Sequence, residues 1–121
     1  MSPKSLRSHV LSFLSLITLG VACGTPAAPA PPPGSRVVAI EVGARGYDPS
    51  EISAIPGEAL HLVFTRTSDE GCGQQLVFPD LDVRRDLPLD EPVAVDVTTP
   101  ATGRLGFTCG MGMYRGAVVV R

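Results

Sequence analysis

The sequence predicts an all-β fold, a Greek-key β-sandwich of about seven strands over residues 36–121. Two observations carry this prediction. Apolar side chains recur at every second position, which is the period of a half-buried strand and not that of a helix. Glycine or proline interrupts these segments about every ten residues, a spacing typical of sandwiches and small barrels. We favour the sandwich, because a single sheet of this composition could not cover its apolar face.

The alternation places six of the strands in chain order. In each of them, apolar residues point to one face and the intervening residues to the other. The six segments are Val38–Val42, Leu60–Phe64, Leu76–Phe78, Val93–Val97, Leu105–Phe107 and Val118–Val120. Turn signals rich in proline, glycine and aspartate lie between them. These signals are Tyr47–Ser50, Ile55–Gly57, Phe78–Asp80, Asp90–Pro92 and Thr99–Ala101.

Length and charge restrict the class of protein. The chain has 121 residues, of which 18% are charged, and a formal net charge of -2. This length suits one domain and excludes a multidomain enzyme. The ten basic residues are scattered along the chain instead of forming a stripe. We therefore expect a monomer with no nucleic-acid partner.

The first 22 residues are predicted to be a lipoprotein signal peptide. Lys4 and Arg7 precede an apolar run from Val10 to Ala22, which is shorter than the roughly 20 residues that a membrane-spanning helix needs. The run ends in Leu19-Gly20-Val21-Ala22-Cys23, which resembles a bacterial lipoprotein signal. In such signals the cysteine, here Cys23, is lipidated and becomes the mature N-terminus. Plain secretion and an uncleaved anchor are the alternatives.

Residues 23–35 are predicted to link the lipid anchor to the domain. The segment Thr25–Gly34 is dominated by proline, a composition that favours extended polyproline II and acts as a semi-rigid spacer. Such a spacer holds a domain off a membrane surface. We expect a lipoprotein of the bacterial cell envelope that faces the periplasm or the cell exterior.

Sulfur side chains form the most informative cluster in the sequence. Cys109, Met111 and Met113 stand at alternate positions with glycine between them, so all three can face the same way in an extended chain. Cys109 continues the inward-facing row of Leu105 and Phe107, which would place its sulfur at the inner rim of the sandwich. Thiolate and thioether are soft ligands that select Cu(I) over hard cations. With Cys72, the cluster could hold one or two Cu(I) ions.

Other interpretations of these residues compete with a copper site. In an oxidising compartment, Cys72 and Cys109 could form a structural disulfide, and the methionines could fill the core. His61, in the middle of an apolar strand, is more typical of a packed or surface side chain than of a ligand. A blue-copper centre needs two histidines and a cysteine, so electron transfer of that type is disfavoured. We find no constellation that indicates an enzyme.

The residues from about 46 to 121 resemble bacterial cupredoxin-like (plastocyanin-like) domains, including those of membrane-anchored Cu(I) chaperones. The resemblance is carried by Tyr47-Asp48-Pro49, Ile55-Pro56-Gly57-Glu58, Cys72, Leu76-Val77-Phe78-Pro79, Phe107-Thr108-Cys109-Gly110-Met111-Gly112-Met113 and Arg115-Gly116. It implies a cupredoxin sandwich in which sulfur replaces the usual histidine ligands.

The resemblance also implies roles for particular residues. Cys72 and Cys109 would bridge two Cu(I) ions, and Met111 and Met113 would complete the weaker, more exposed site. Glu58 is the candidate by position for a carboxylate at the tighter site. The implied partner is a copper-exporting P-type ATPase or another copper acceptor, which receives the metal by ligand exchange. The lipidated cysteine departs from the membrane-spanning anchor of those chaperones.

The sequence therefore leads to one main hypothesis and two alternatives. The main hypothesis is an extracytoplasmic Cu(I)-binding protein that acts as a copper chaperone or as a copper-sequestering resistance protein. The alternatives are a cupredoxin that transfers electrons, and a structural or interaction domain that binds no metal and is stabilised by a disulfide.

Overall fold

The structure is a computed structural model and describes residues 29–121. The predicted signal peptide and the predicted lipidation site Cys23 lie outside these residues. Within the described part of the chain, no helix is long and apolar enough to cross a membrane.

Between residues 29 and 121, nine strands form two sheets that pack face to face. The four-stranded sheet has the order β2-β1-β4-β7 and the five-stranded sheet the order β3-β9-β8-β5-β6. The strands are β1 Arg36–Gly43, β2 Gly46–Asp48, β3 Glu51–Ala54, β4 Ala59–Arg66, β5 Gln75–Phe78, β6 Val83–Asp86, β7 Pro92–Thr98, β8 Arg104–Cys109 and β9 Arg115–Val120. A short 3-10 helix, Pro79–Leu81, separates β5 from β6. This architecture confirms the predicted all-β sandwich.

The inward-facing residues of both sheets make one core. Leu60, Leu62 and Phe64 of β4 are at most 1% exposed, and they face Leu105 and Phe107 of β8. The ring of Phe64 meets that of Phe107 edge to face, with centroids 5.4 Å apart. Such pairs add stabilisation to the burial of apolar area. The period-two alternation thus identified the core-facing row of the longer strands.

Three strands were not placed by the alternation because they are short or lie at an edge. β2 has three residues and β3 has four, and both lie beside turn signals. β6 is an edge strand with the sequence Val-Arg-Arg-Asp, and three of its four side chains are exposed. β2 contributes one core residue, Tyr47, and β3 contributes two, Ile52 and Ala54, which are too few to show an alternation in the sequence. β6 has no buried side chain and is held by backbone pairing with β5.

The strand directions define two ends of the sandwich. β1 and β4 run in parallel and finish at Gly43 and Arg66, and β8 finishes at Cys109. We call the end where β1, β4 and β8 finish the sulfur end. β5 and β9 begin there, because both are antiparallel to β8. Loops from both sheets therefore meet at the sulfur end.

The core predicts a test of stability. Phe64→Ala should lower the free energy of unfolding by about 3–5 kcal/mol, because it leaves a cavity between the sheets where Phe64 is 0% exposed. Val37→Ala, at a side chain that is 54% exposed, should change it by less than about 0.5 kcal/mol. Denaturant unfolding of the disulfide-bonded protein measures both. Equal effects of the two substitutions would contradict the packing described here.

Candidate metal centre

The two cysteines of the sulfur end are bonded to each other. Cys109, the last residue of β8, lies in the inward row and is 1% exposed, as the alternation predicts. Cys72 lies half-buried in the loop between β4 and β5. The two form a disulfide, with their Cα atoms 6.0 Å apart. The structure therefore shows the disulfide state of the pair, and this bond joins the β4–β5 loop to β8.

Backbone hydrogen bonds fold the segment after Cys109 tightly around its sulfur. The amide of Cys109 donates to the carbonyl oxygen of Tyr114 at 3.1 Å, and the amide of Gly112 donates to that of Cys109 at 2.9 Å. Gly112 has a φ of 71°, which glycine adopts readily. The amide of Tyr114 lies 3.2 Å from Sγ of Cys109 and donates to it. The sulfur of Cys109 thus accepts a hydrogen bond from the backbone of its own turn.

The two methionines are exposed at the mouth of a cavity. Met111 is 81% exposed and Met113 is 72% exposed, so neither fills the core. Both line an open cavity of about 590 Å³. Its other lining residues are Ala44, Gly71, Cys72, Gln74, Gln75, Gly110 and Tyr114. One cavity thus brings together Cys72 and both thioethers, with Cys109 bonded to Cys72 beneath it.

Tyr114 closes the site against the other sheet. Its hydroxyl donates a hydrogen bond of 2.6 Å to the carbonyl oxygen of Ala44, in the loop between β1 and β2. A Cβ at Gly71 would collide with this hydroxyl, so the glycine before Cys72 leaves the room that the tyrosine needs. Arg115 donates from Nε to the carbonyl oxygen of Gly112 at 3.2 Å. Both residues thus have contacts that close the loop.

The cavity is also lined by Ala44, Gln74 and Gln75, which the sequence did not predict. Ala44 reaches it through the hydrogen bond from Tyr114, which spans 70 positions of the chain. Gln75 begins β5 and accepts a hydrogen bond of 2.9 Å from Arg84 on the neighbouring strand. No spacing or alternation marks these residues, because the pairing of distant strands places them.

Glu58 is not brought to the sulfur residues. It directly precedes β4, whereas Cys72 follows β4, so the two lie at opposite ends of that strand. Glu58 accepts a hydrogen bond of 2.8 Å from Arg36, and this guanidinium holds the pKa of the carboxyl below its usual range. In residues 29–121, no group of three or more His, Cys, Asp or Glu side chains could hold a metal ion. A soft-metal site at the sulfur end would therefore depend on methionine.

His61 is a packed side chain, as the sequence indicated. It lies on the outer face of the four-stranded sheet, is 1% exposed, and has both ring nitrogens in contact with oxygen atoms. It points away from the core that leads to Cys109.

Comparison with known proteins identifies the family. The Cupredoxin-like domain family matches residues 14–120. The chain belongs to the cupredoxin-like domain family. No curated protein matches this cupredoxin-like chain.

Solved structures of several copper proteins share the cupredoxin-like fold. A copper-binding protein solved in its apo form by NMR is 32% identical, with a TM-score of 0.64 over 80% of this chain and 98% of that one. The metal-binding domain of the Cu(I)-exporting P-type ATPase CopA of Streptococcus pneumoniae D39 is 24% identical, with a TM-score of 0.67 over 80% and 96%. A reduced auracyanin of Roseiflexus castenholzii is 19% identical, with a TM-score of 0.54 over 73% and 99%.

The ion pair of Glu58 predicts a pH dependence. Because its folded-state pKa is lowered, Glu58 stabilises the fold above the usual pKa of a glutamate, and this contribution is lost as the pH falls through the lowered value. Glu58→Gln should therefore be less stable than wild type at neutral pH, and the difference should shrink as the pH falls below the usual pKa of a glutamate. Denaturant unfolding across this range, with the exposed loop variant Glu91→Gln as the control for charge, measures the difference. A deficit that persists unchanged at acid pH would argue against the ion pair as its cause.

Proposed function

We propose that this protein binds Cu(I) in its reduced state through Cys72, Cys109, Met111 and Met113, and that it carries or sequesters copper outside the cytoplasm. One observation carries the proposal. Two exposed thioethers and the Cys72 end of the disulfide line the same open cavity. The relative that is 32% identical is itself a copper-binding protein.

The donor set suits copper better than a hard cation. Thiolate and thioether bind Cu(I), whereas Mg²⁺ and Ca²⁺ take oxygen ligands. The exposure of Met111 and Met113 supports a ligand role, because exposed apolar side chains beside glycine contribute little to packing. The membership of the chain in the cupredoxin-like family agrees with copper as the metal.

Reduction of the disulfide must precede binding by both cysteines. Two electrons and two protons convert the Cys72–Cys109 bond into two thiols, and an external dithiol would supply them while becoming a disulfide itself. Copper then binds with loss of the thiol protons, so its affinity for the cysteines should rise with pH. Thioethers carry no proton to lose. We propose that the cysteines form the tighter copper site, whose affinity depends on pH. The methionines form the weaker site, through which copper enters and leaves.

The open cavity suits transfer of the ion to another protein. A ligand on an acceptor protein can replace a methionine at the surface before the cysteines dissociate from the copper ion. The ion therefore need not be released into water. The acceptor class that we propose is a copper-exporting P-type ATPase or another thiol-bearing copper protein. We further propose that lipidated Cys23 anchors the chain in the bacterial cell envelope, and that the protein is a monomeric carrier without catalytic activity.

Electron transfer by a blue-copper centre receives less support. The chain has two histidines, and His61 is the one within the domain. Its ring nitrogens contact Asp96 and Pro29 on the outer face of the sheet. A trigonal site with two histidines cannot form from these residues at the sulfur end.

A copper titration tests the role of the cysteines. The reduced full chain should take up one or two Cu(I) ions anaerobically against a competing Cu(I) chelator, and Cys72→Ser should lower the tighter affinity at least about tenfold, or 1.4 kcal/mol. The oxidised wild type is the matched control, because its two cysteine sulfurs are bonded to each other. Equal uptake by the oxidised and reduced proteins would overturn the assignment of the cysteines.

A second titration separates the two halves of the site. Replacing both Met111 and Met113 with leucine keeps their apolar volume and removes the thioethers. The double variant should lose the weaker copper site and keep the tighter one, and the weaker affinity of wild type should change little with pH. Unchanged stoichiometry in the double variant would show that the methionines are not ligands.

A further inference from the structure

The outer face of the four-stranded sheet holds the end of the proline-rich segment. His61 lies in the middle of β4, directly opposite Val37 of β1 and Asp96 of β7. Its Nε2 is 3.0 Å from the carbonyl oxygen of Pro29, and its Nδ1 is 2.6 Å from Oδ1 of Asp96. Pro32, Pro33 and Ser35 line a groove on this sheet with Asp96. The segment Pro29–Ser35, which we call the strap, therefore lies against the domain.

The two contacts of His61 require an additional proton. A backbone carbonyl oxygen only accepts hydrogen bonds, so Nε2 must donate to Pro29. Nδ1 then either donates to an ionised Asp96 or accepts from a protonated one. In both cases the pair holds one proton more than a neutral imidazole beside a carboxylate. Without the strap, a neutral ring can donate from Nδ1 to Asp96 and leave Nε2 in water.

The charged residues that the strands place on this face of the sheet are acidic. Glu41 lies on the outer face of β1, four residues after Val37 in the same strand. Asp48 of β2 is paired with Glu41. The residues of β4 on this face are Ala59, His61, Val63 and Thr65, and those of β7 are Ala94, Asp96 and Thr98. The strap itself contributes no charged side chain. Among the residues of these strands and of the strap, Asp96 is the charged group that contacts His61.

We propose that this face is a docking surface for the chain's own proline-rich strap, and that docking takes up one proton at the His61–Asp96 pair. The strap is held at acid pH and released as the pH rises through the range in which imidazole loses its proton, about pH 5 to 8. For a single linked proton, the ratio of docked to free strap falls by up to about tenfold per pH unit as the pH rises through that range. Release would free residues 29–35, adding on the order of 20 Å of extended chain to the spacer before the domain.

NMR of the full chain in the oxidised, copper-free state tests this proposal independently of copper binding. In wild type, NOEs between Pro29 and the aromatic ring at position 61 should be present near pH 5.5 and lost near pH 8. The ring nitrogen shifts of His61 should report a proton on Nε2 whenever these NOEs are seen. Docking that does not change with pH in wild type would overturn the proposal.

Two variants separate proton linkage from docking. Asp96→Asn can donate its amide hydrogen to Nδ1, which lets a neutral His61 donate to Pro29, so its NOEs should persist at both pH values. His61→Phe keeps a ring but no donor, so its NOEs should be absent at both. Amide signals of Leu62 on β4 and Val95 on β7, which are paired, report whether the four-stranded sheet of each variant is intact. If the phenylalanine variant does not fold, the contrast between wild type and Asp96→Asn still decides the question, and loss of docking in Asp96→Asn at acid pH would contradict the proposal.

Discussion

The site depends on one row of side chains along β8. Leu105, Phe107 and Cys109 point inward at alternate positions, and each is at most 4% exposed. The same pleat that packs Phe107 between the sheets therefore fixes where the sulfur of Cys109 emerges at the sulfur end. A shift of one residue in the pairing of β8 with β9 would turn all three outward, so burial of the core and position of the sulfur are set together.

The sequence predicted the features that depend on local periodicity. The inward rows of β4, β7 and β8, and the inward position of Cys109, followed from alternation alone. The family resemblance implied Glu58 as a carboxylate at the site, but Glu58 lies at the other end of β4 beside Arg36. The hydrogen bond from Tyr114 to Ala44 could not be predicted either, because it joins loops of different sheets. Such contacts depend on the pairing of strands that are distant in the chain. This pairing cannot be deduced from a single sequence.

The two halves of the sulfur site differ in their surroundings. Cys109 is enclosed by the core and receives a hydrogen bond from the amide of Tyr114, whereas Met111 and Met113 extend into solvent. Burial limits the access of water and of competing thiols to the inner sulfur. Exposure lets another protein reach the outer sulfurs without opening the fold. This gradient runs along the five residues from Cys109 to Met113 and needs no movement of the sheets.

The hydrogen bond between Tyr114 and Ala44 also bears on how the site behaves when the disulfide is open. It ties the β8–β9 loop of one sheet to the β1–β2 loop of the other by a contact that no reductant breaks. The backbone hydrogen bonds of the turn from Cys109 to Tyr114 are likewise contacts that reduction does not cleave. Much of the conformational entropy of the β8–β9 loop is thus lost already in the folded, metal-free chain. Three of the four sulfurs belong to that loop and its preceding strand, so a ligand arriving there meets a preorganised surface, and more of its binding energy is retained as affinity.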